Sequence, residues 1–194
     1  FTCFFSAGSI VWDREFGFMR EMLVAPVSRA SIVVGKALGG ATAGMTQGVI
    51  VLAMGPLVGV ELTPLLVLVL LVELIVLAFA ITSIGVLVAV RIKSFAAFMA
   101  LVQVIIMPMF FLSGALFPLR GLPTWLHVAT LIDPLTYAVD PMRRAVLEHV
   151  DNGAVAPGVT WSGWTVPTVV ELGIVAATGV IALVFAAREF GKTE

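Results

Sequence analysis

The stretch PLLVLVLLVELIVLAFAITSIGVLVAV, Pro64 to Val90, decides the fold: 27 residues carry one ionisable side chain, Glu73. About 20 apolar residues suffice to carry a helix across the hydrocarbon core of a bilayer, so this stretch reads as a full transmembrane span. The composition of the whole chain agrees. Of its 194 residues, 60% are hydrophobic and 12% charged, at a mean hydropathy of +1.13, whereas a soluble domain carries about twice that charged fraction. The net charge of -1 excludes no class of partner, because the placement of the basic residues matters more than their sum. Cys3 is the only cysteine and lies in an apolar run, which leaves it a packing role rather than a disulfide.

Three more stretches read as full spans: residues 32–58, 94–112 and 167–187. The first holds Gly35, Gly39, Gly40, Gly44 and Gly48, small residues at helical spacing that let helices approach closely in lipid. Pro108 is placed to kink the second by removing a backbone donor, and Pro167 suits the first turn of the third. Residues 1–11 are too short to cross and are expected to be the end of a truncated span, the start of the protein being missing. Residues 113–166 form an extracytoplasmic region. Its apolar residues are too interrupted by Pro and Gly for one span and suit short helices dipping into the outer leaflet, with Trp125 and Tyr137 at headgroup level. The fold class is therefore all-α, a polytopic transmembrane helical bundle formed by residues 1–194 as one domain.

Between the first two apolar runs lies WDREFGFMREMLVAPVSRASIVVGK, Trp12 to Lys36. On a single helix Trp12, Phe16, Met19 and Leu23 align as one apolar stripe, and Asp13, Arg14, Glu15, Arg20 and Glu21 occupy the rest. Such a helix can lie in the membrane interface with its charges in water or on another protein. Pro26 ends it, and Ser28 is a candidate cap for the next helix. Arg14, Arg20, Arg29, Lys36, Arg91, Lys93, Arg188 and Lys192 fall on one side of the membrane, against Arg120, Arg143 and Arg144 on the other. The positive-inside rule makes the first side cytoplasmic, with the C terminus on it.

Polar residues within spans are the candidates for a translocation path: Gln47, Glu73 and Gln103, with Phe111 among the aromatic candidates for its lining. Each is as well explained by helix packing. Glu73 must be neutral, paired or facing a polar cavity, because an ionised acid in hydrocarbon costs several kcal/mol. Glu171 lies one turn into the last span, where ionisation is cheaper. The chain has no glycine-rich nucleotide loop, no metal-ligand spacing, no catalytic set and no basic nucleic-acid surface.

Three stretches bear a resemblance. The first is Asp13-Arg14-Glu15-Phe16-Gly17 leading to Glu21-Met22-Leu23-Val24-Ala25-Pro26-Val27-Ser28-Arg29 and Gly35-Lys36. The second is Phe111-Leu112-Ser113-Gly114-Ala115-Leu116-Phe117-Pro118-Leu119 with Leu122-Pro123 and Trp125-Leu126. The third is Asp133-Pro134-Leu135-Thr136-Tyr137 with Asp140, Arg143 and Arg144. In this order the chain resembles the C-terminal two thirds of the membrane permease of type-2 ATP-binding-cassette exporters, which include drug, antibiotic and polysaccharide exporters. Asp133 departs from the usual asparagine of the family's asparagine-proline pair.

The resemblance implies a six-span permease of the bacterial plasma membrane that moves a hydrophobic drug, a lipid-like molecule or a polysaccharide outward. It implies a second permease copy, as homodimer or heterodimer, and a cytoplasmic ATPase subunit that holds ATP and Mg, with no cofactor or metal on this chain. The cytoplasmic coupling segment, residues 12–29, then contains a coupling helix that maps onto Trp12, Asp13, Arg14, Glu15, Phe16, Met19, Arg20, Glu21 and Leu23. The short outer helices carry Pro118, Trp125, Asp133, Pro134, Tyr137, Asp140 and Arg143 as gate or structural residues. Two other classes fit the same residues: a secondary transporter or channel built on Glu73 and Gln103, and a membrane scaffold that transports nothing.

Overall fold

A computed structural model of the chain describes residues 1–24, 28–116, 123–150, 158–161 and 164–193. The side chains of Arg20, Met22, Leu23, Lys192 and Thr193 lie outside that description, as do the expectations placed on Pro26 and Pro118. The helices are α1 (Thr2–Ala7), α2 (Ser9–Glu15), α3 (Phe18–Val24), α4 (Arg29–Ala53), α5 (Pro64–Arg91), α6 (Phe95–Leu112), α7 (Thr124–Ile132), α8 (Pro134–Leu147) and α9 (Thr168–Thr193). A tight 3-10 turn covers Gly55–Val58, and two-residue strands β1 (Thr160–Trp161) and β2 (Trp164–Thr165) pair antiparallel. The protein is an all-α helical membrane protein.

Among the described residues, three helices are long and apolar enough to cross a membrane: Pro64–Arg91, Phe95–Leu112 and Thr168–Gly191. On α5 the exposed residues Leu65, Leu68, Val72 and Ile75 recur at intervals of three and four and are as apolar as the buried Leu66 and Leu70. A helix apolar on every face is suited to lipid on one side and protein on the other. The 25 residues of α4 would extend about 37 Å at 1.5 Å per residue. Its five glycines, with Lys36, Thr42, Thr46 and Gln47, keep it out of that apolar set.

The chain divides into two compact units. One comprises Phe1–Thr46, Ala78–Ile106 and Ala176–Glu194; the other comprises Gln47–Leu77 and Met107–Val175. In the first, Phe4, Ile10 and Val11 pack with Val33, Val86, Phe98, Val102 and Phe190. A Cβ on Gly85 would stand 2.9 Å from that of Ala7, and one on Gly179 would stand 2.8 Å from the Ala80 backbone, so both glycines mark close helix approaches. In the second, Val60, Leu66 and Leu70 form a small core with Leu52, Leu62, Met142 and Val146 around them. Val60 bridges to Val150, and the Glu61 N–H donates to the His149 carbonyl.

Three expectations are corrected. The single amphipathic helix from Trp12 to Leu23 is two helices, because Gly17 takes φ 86°, a left-handed conformation that ends α2. Of its stripe, Met19 is buried, while Trp12 and Phe16 are exposed. Among the five α4 glycines, Gly40, Gly44 and Gly48 meet Thr82 with Ser6, Cys3 and Leu74 respectively, whereas Gly35 and Gly39 face open space. Pro167 precedes the first turn of α9 instead of lying within it, and its carbonyl accepts from the Val170 and Glu171 N–H groups.

The Gly179 contact carries a test. Gly179→Ala should lower thermal stability in detergent by about 1–3 kcal/mol, since α5 or α9 must shift to admit the methyl. Gly35→Ala should be neutral or gain up to about 1 kcal/mol, because it removes backbone freedom from the unfolded chain without a clash.

Candidate functional site

The first candidate site lies in the unit that holds α2. Helix ends leave orphan groups: the last carbonyls of α5 and the first N–H groups of α6 have no partner within their own helices. Two consecutive residues of α2 satisfy some of them. Arg14 Nη1 donates to the carbonyls of Val90 and Ile92, each at 3.0 Å, and the Glu15 carboxylate accepts from the Phe95 N–H at 2.7 Å. A cation therefore meets the negative end of α5 and an anion the positive end of α6, both favourable to the helix dipoles.

Trp12 packs edge-on against Phe95 with ring centroids 5.1 Å apart, and lies 4.5 Å from Phe16. About two turns along α4, Lys36 pairs with Asp13. The expectation that the charges of this segment face water or another protein is thus overturned at Asp13 and Arg14, which are half-buried and bond to the chain itself, whereas Glu15 bonds the Phe95 N–H and stays exposed. Hydrogen bonding explains the difference, because the α5–α6 turn offers unsatisfied groups of both signs. Phe16, Phe18, Glu21 and Val24 remain exposed.

The second candidate site lies in the other unit. Pro134 opens α8 at its first turn, and Asp133 caps it, Oδ1 accepting from the Leu135 N–H at 3.0 Å. Along α8 the polar side chains hold the surrounding backbone. Thr136 donates to the Leu112 carbonyl, Tyr137 to that of Leu131 and Arg143 to that of Gly114. The Asp140 carboxylate accepts from the Val159 N–H at 2.9 Å, and Trp161 Nε1 donates to the Tyr137 hydroxyl at 3.1 Å. Trp125, by contrast, is exposed.

Arg144, four residues after Asp140 on the same face, bonds Asp140 at 3.1 Å and also pairs with Glu171 of α9. Glu171 is 0% exposed, so the expectation of an easily ionised interfacial acid is replaced by a buried ion pair. Neither Arg144 nor Glu171 stands out as a site residue in the sequence. The available signal was the i, i+4 spacing of Asp140 and Arg144, which places an acid and a base side by side on a helix.

The candidate path residues separate. Glu73 is buried and belongs to the same unit as this cluster. Gln47 and Phe111 belong to the same unit and are exposed, while Gln103 is exposed and belongs to the other unit.

The ABC-2 type transporter family model matches residues 1–147. The chain belongs to that family. Membership, together with the long apolar helices, makes this ABC-2 protein a multi-pass membrane protein. The putative transport permease ycf38 of Cyanophora paradoxa is 34% identical over 151 residues, covering 74% of this chain and 51% of that protein. Its counterpart in Porphyra purpurea is 28% identical over 138 residues, covering 69% and 47%. That of Pyropia yezoensis is 26% identical over 160 residues, covering 74% and 55%. The chain spans about half the length of these curated relatives. No solved structure matches it.

Two tests follow from the α8 geometry. Burial raises the Asp133 carboxyl from 3.8 to about 6, against the lowering effect of the Leu135 N–H and the Thr136 hydroxyl. A folded-state value above the unfolded one favours the protonated fold, so its contribution is complete below pH 4 and lost as pH rises through 6. Asp133→Asn keeps the cap and removes this dependence. Relative to it, the wild type should lose up to about 3 kcal/mol between pH 4 and 7 in thermal unfolding. Separately, Arg144→Ala strands Asp140 and Glu171 without their cation, and should lower stability by about 3–5 kcal/mol in the same assay.

Proposed function

We propose that this ABC-2 permease is the membrane part of an ATP-driven exporter of the bacterial plasma membrane, working as a homodimer or close heterodimer with a cytoplasmic ATPase subunit on each half. ATP and Mg are held by those subunits. ATP binding closes the dimer, moves the segment from Trp12 to Val24 and carries the spans from inward-facing to outward-facing. The cargo is a hydrophobic drug, a lipid-like molecule or a polysaccharide, in keeping with the apolar spans. The eight-to-three excess of basic residues supports a cytoplasmic C terminus.

One observation carries the reading: α2 is bonded into the α5–α6 turn by Arg14 and Glu15, while Phe16, Phe18, Glu21 and Val24 stay exposed. A segment so built has a gripping surface and a separate set of bonds into the spans, as a transmitter of force requires. Phe16 and Phe18 are then docking residues. Arg14 and Glu15 are positioning residues that pass the movement on.

The test separates the two roles. Copurification of the complete protein from its native membrane should recover a nucleotide-binding subunit, and Phe16→Asp with Phe18→Asp should release it. Arg14→Ala with Glu15→Ala should retain the subunit and its ATP hydrolysis yet lower transport by about tenfold or more. Hydrogen bonds to charged groups, worth about 1.5–3 kcal/mol each, are lost from the transmitting contact. Transport that persists without any nucleotide-binding subunit would overturn the reading in favour of an ion-coupled transporter.

A further inference from the structure

Glu73 is the one acid of α5, and it is 1% exposed. Neither of its carboxyl oxygens has a hydrogen-bond partner among the described residues. An ionised carboxylate in that position would forgo both water and hydrogen bonds, the most expensive arrangement a membrane interior offers. Two helices of the same compact unit carry charged groups. α8 contributes Asp140 and Arg144, and α9 contributes Glu171. The neighbouring Arg143 is committed to the Gly114 carbonyl, and His149 Nδ1 lies 2.8 Å from the Ala145 carbonyl oxygen.

Arg144 is the shared counter-ion, and its Nη2 is already on Asp140 and Glu171. With all four groups ionised, one positive and three negative charges would leave two uncompensated negatives, counted as 1 - 3 = -2. The ion pair of Arg144 with Asp140 and Glu171 is geometrically formed. The remaining acid is Glu73.

We propose that Glu73 is a proton-binding site of this transporter, occupied while Arg144 is held by Asp140 and Glu171. Release breaks the carboxyl O–H bond, passes the proton to water and leaves a carboxylate that competes with Glu171 for Arg144. The acid on α5 and the arginine on α8 thus form a two-position device in which proton occupancy and the partner of Arg144 change together. The proposal is independent of ATP coupling and stands or falls separately from it.

Infrared spectroscopy of the protein in lipid nanodiscs reads the site directly, through the C=O stretch of a protonated carboxyl group and its shift in deuterated water. At neutral pH the wild type should show such a band. Glu73→Gln, whose amide has the shape of the neutral acid, should lose it, and Glu171→Gln should keep it. A band that survives Glu73→Gln, or one lost in Glu171→Gln in its place, overturns the proposal. Should Glu73→Gln fail to fold, Glu73→Asp provides the second reading: a band that shifts in frequency supports the site, and an unshifted band overturns it.

Discussion

Hydrocarbon offers no hydrogen-bond partner, and this constraint bears on each polar group carried by a span. A backbone N–H or carbonyl at a helix end and a charged side chain on a span both have to find satisfaction within the protein. Arg14 and Glu15 answer the first need, and Arg144 the second. Arg14 and Arg144, which composition would assign to water, are half-buried and bonded inward.

The Arg14 and Glu15 pair depends on an interruption. Gly17 stops α2 one residue after Phe16, so these side chains project from a short helix that ends beside the α5–α6 turn. A continuous helix through Leu23 would have set the same residues by an outward stripe. The break divides labour within a dozen residues: those before it bond to the spans, while Phe16 and Phe18 at and after it remain exposed. The function proposed for the segment follows from that division.

α8 is organised by the same logic with different residues. It starts on the cap and proline of Asp133-Pro134, and its polar face holds carbonyls of Leu112, Gly114 and Leu131 together with the Val159 N–H. The short helices expected from the broken apolar pattern are present as α7 and α8. They are fastened by side chains bonding to backbone, which a pattern of apolar residues does not reveal. Asp133 serves as a cap in place of the amide usual in the resembling family, because capping requires only an acceptor.

The sequence by itself determined the class and most of the helices. Long apolar runs such as Pro64 to Val90 have one stable form in lipid, and Pro and Gly mark their ends. The three ordered motifs were enough for the family, because their spacing survives without any knowledge of contacts. Tertiary structure alone decided that Gly17 breaks the amphipathic stretch, that Asp13 pairs with Lys36, and that Glu171 is buried against Arg144. It also decided that Glu73 is buried without a hydrogen bond among the described residues while Gln47 and Gln103 are exposed. The reason is physical: periodicity encodes which face of a helix is apolar, but the partner of a charge depends on residues brought together from tens of positions away.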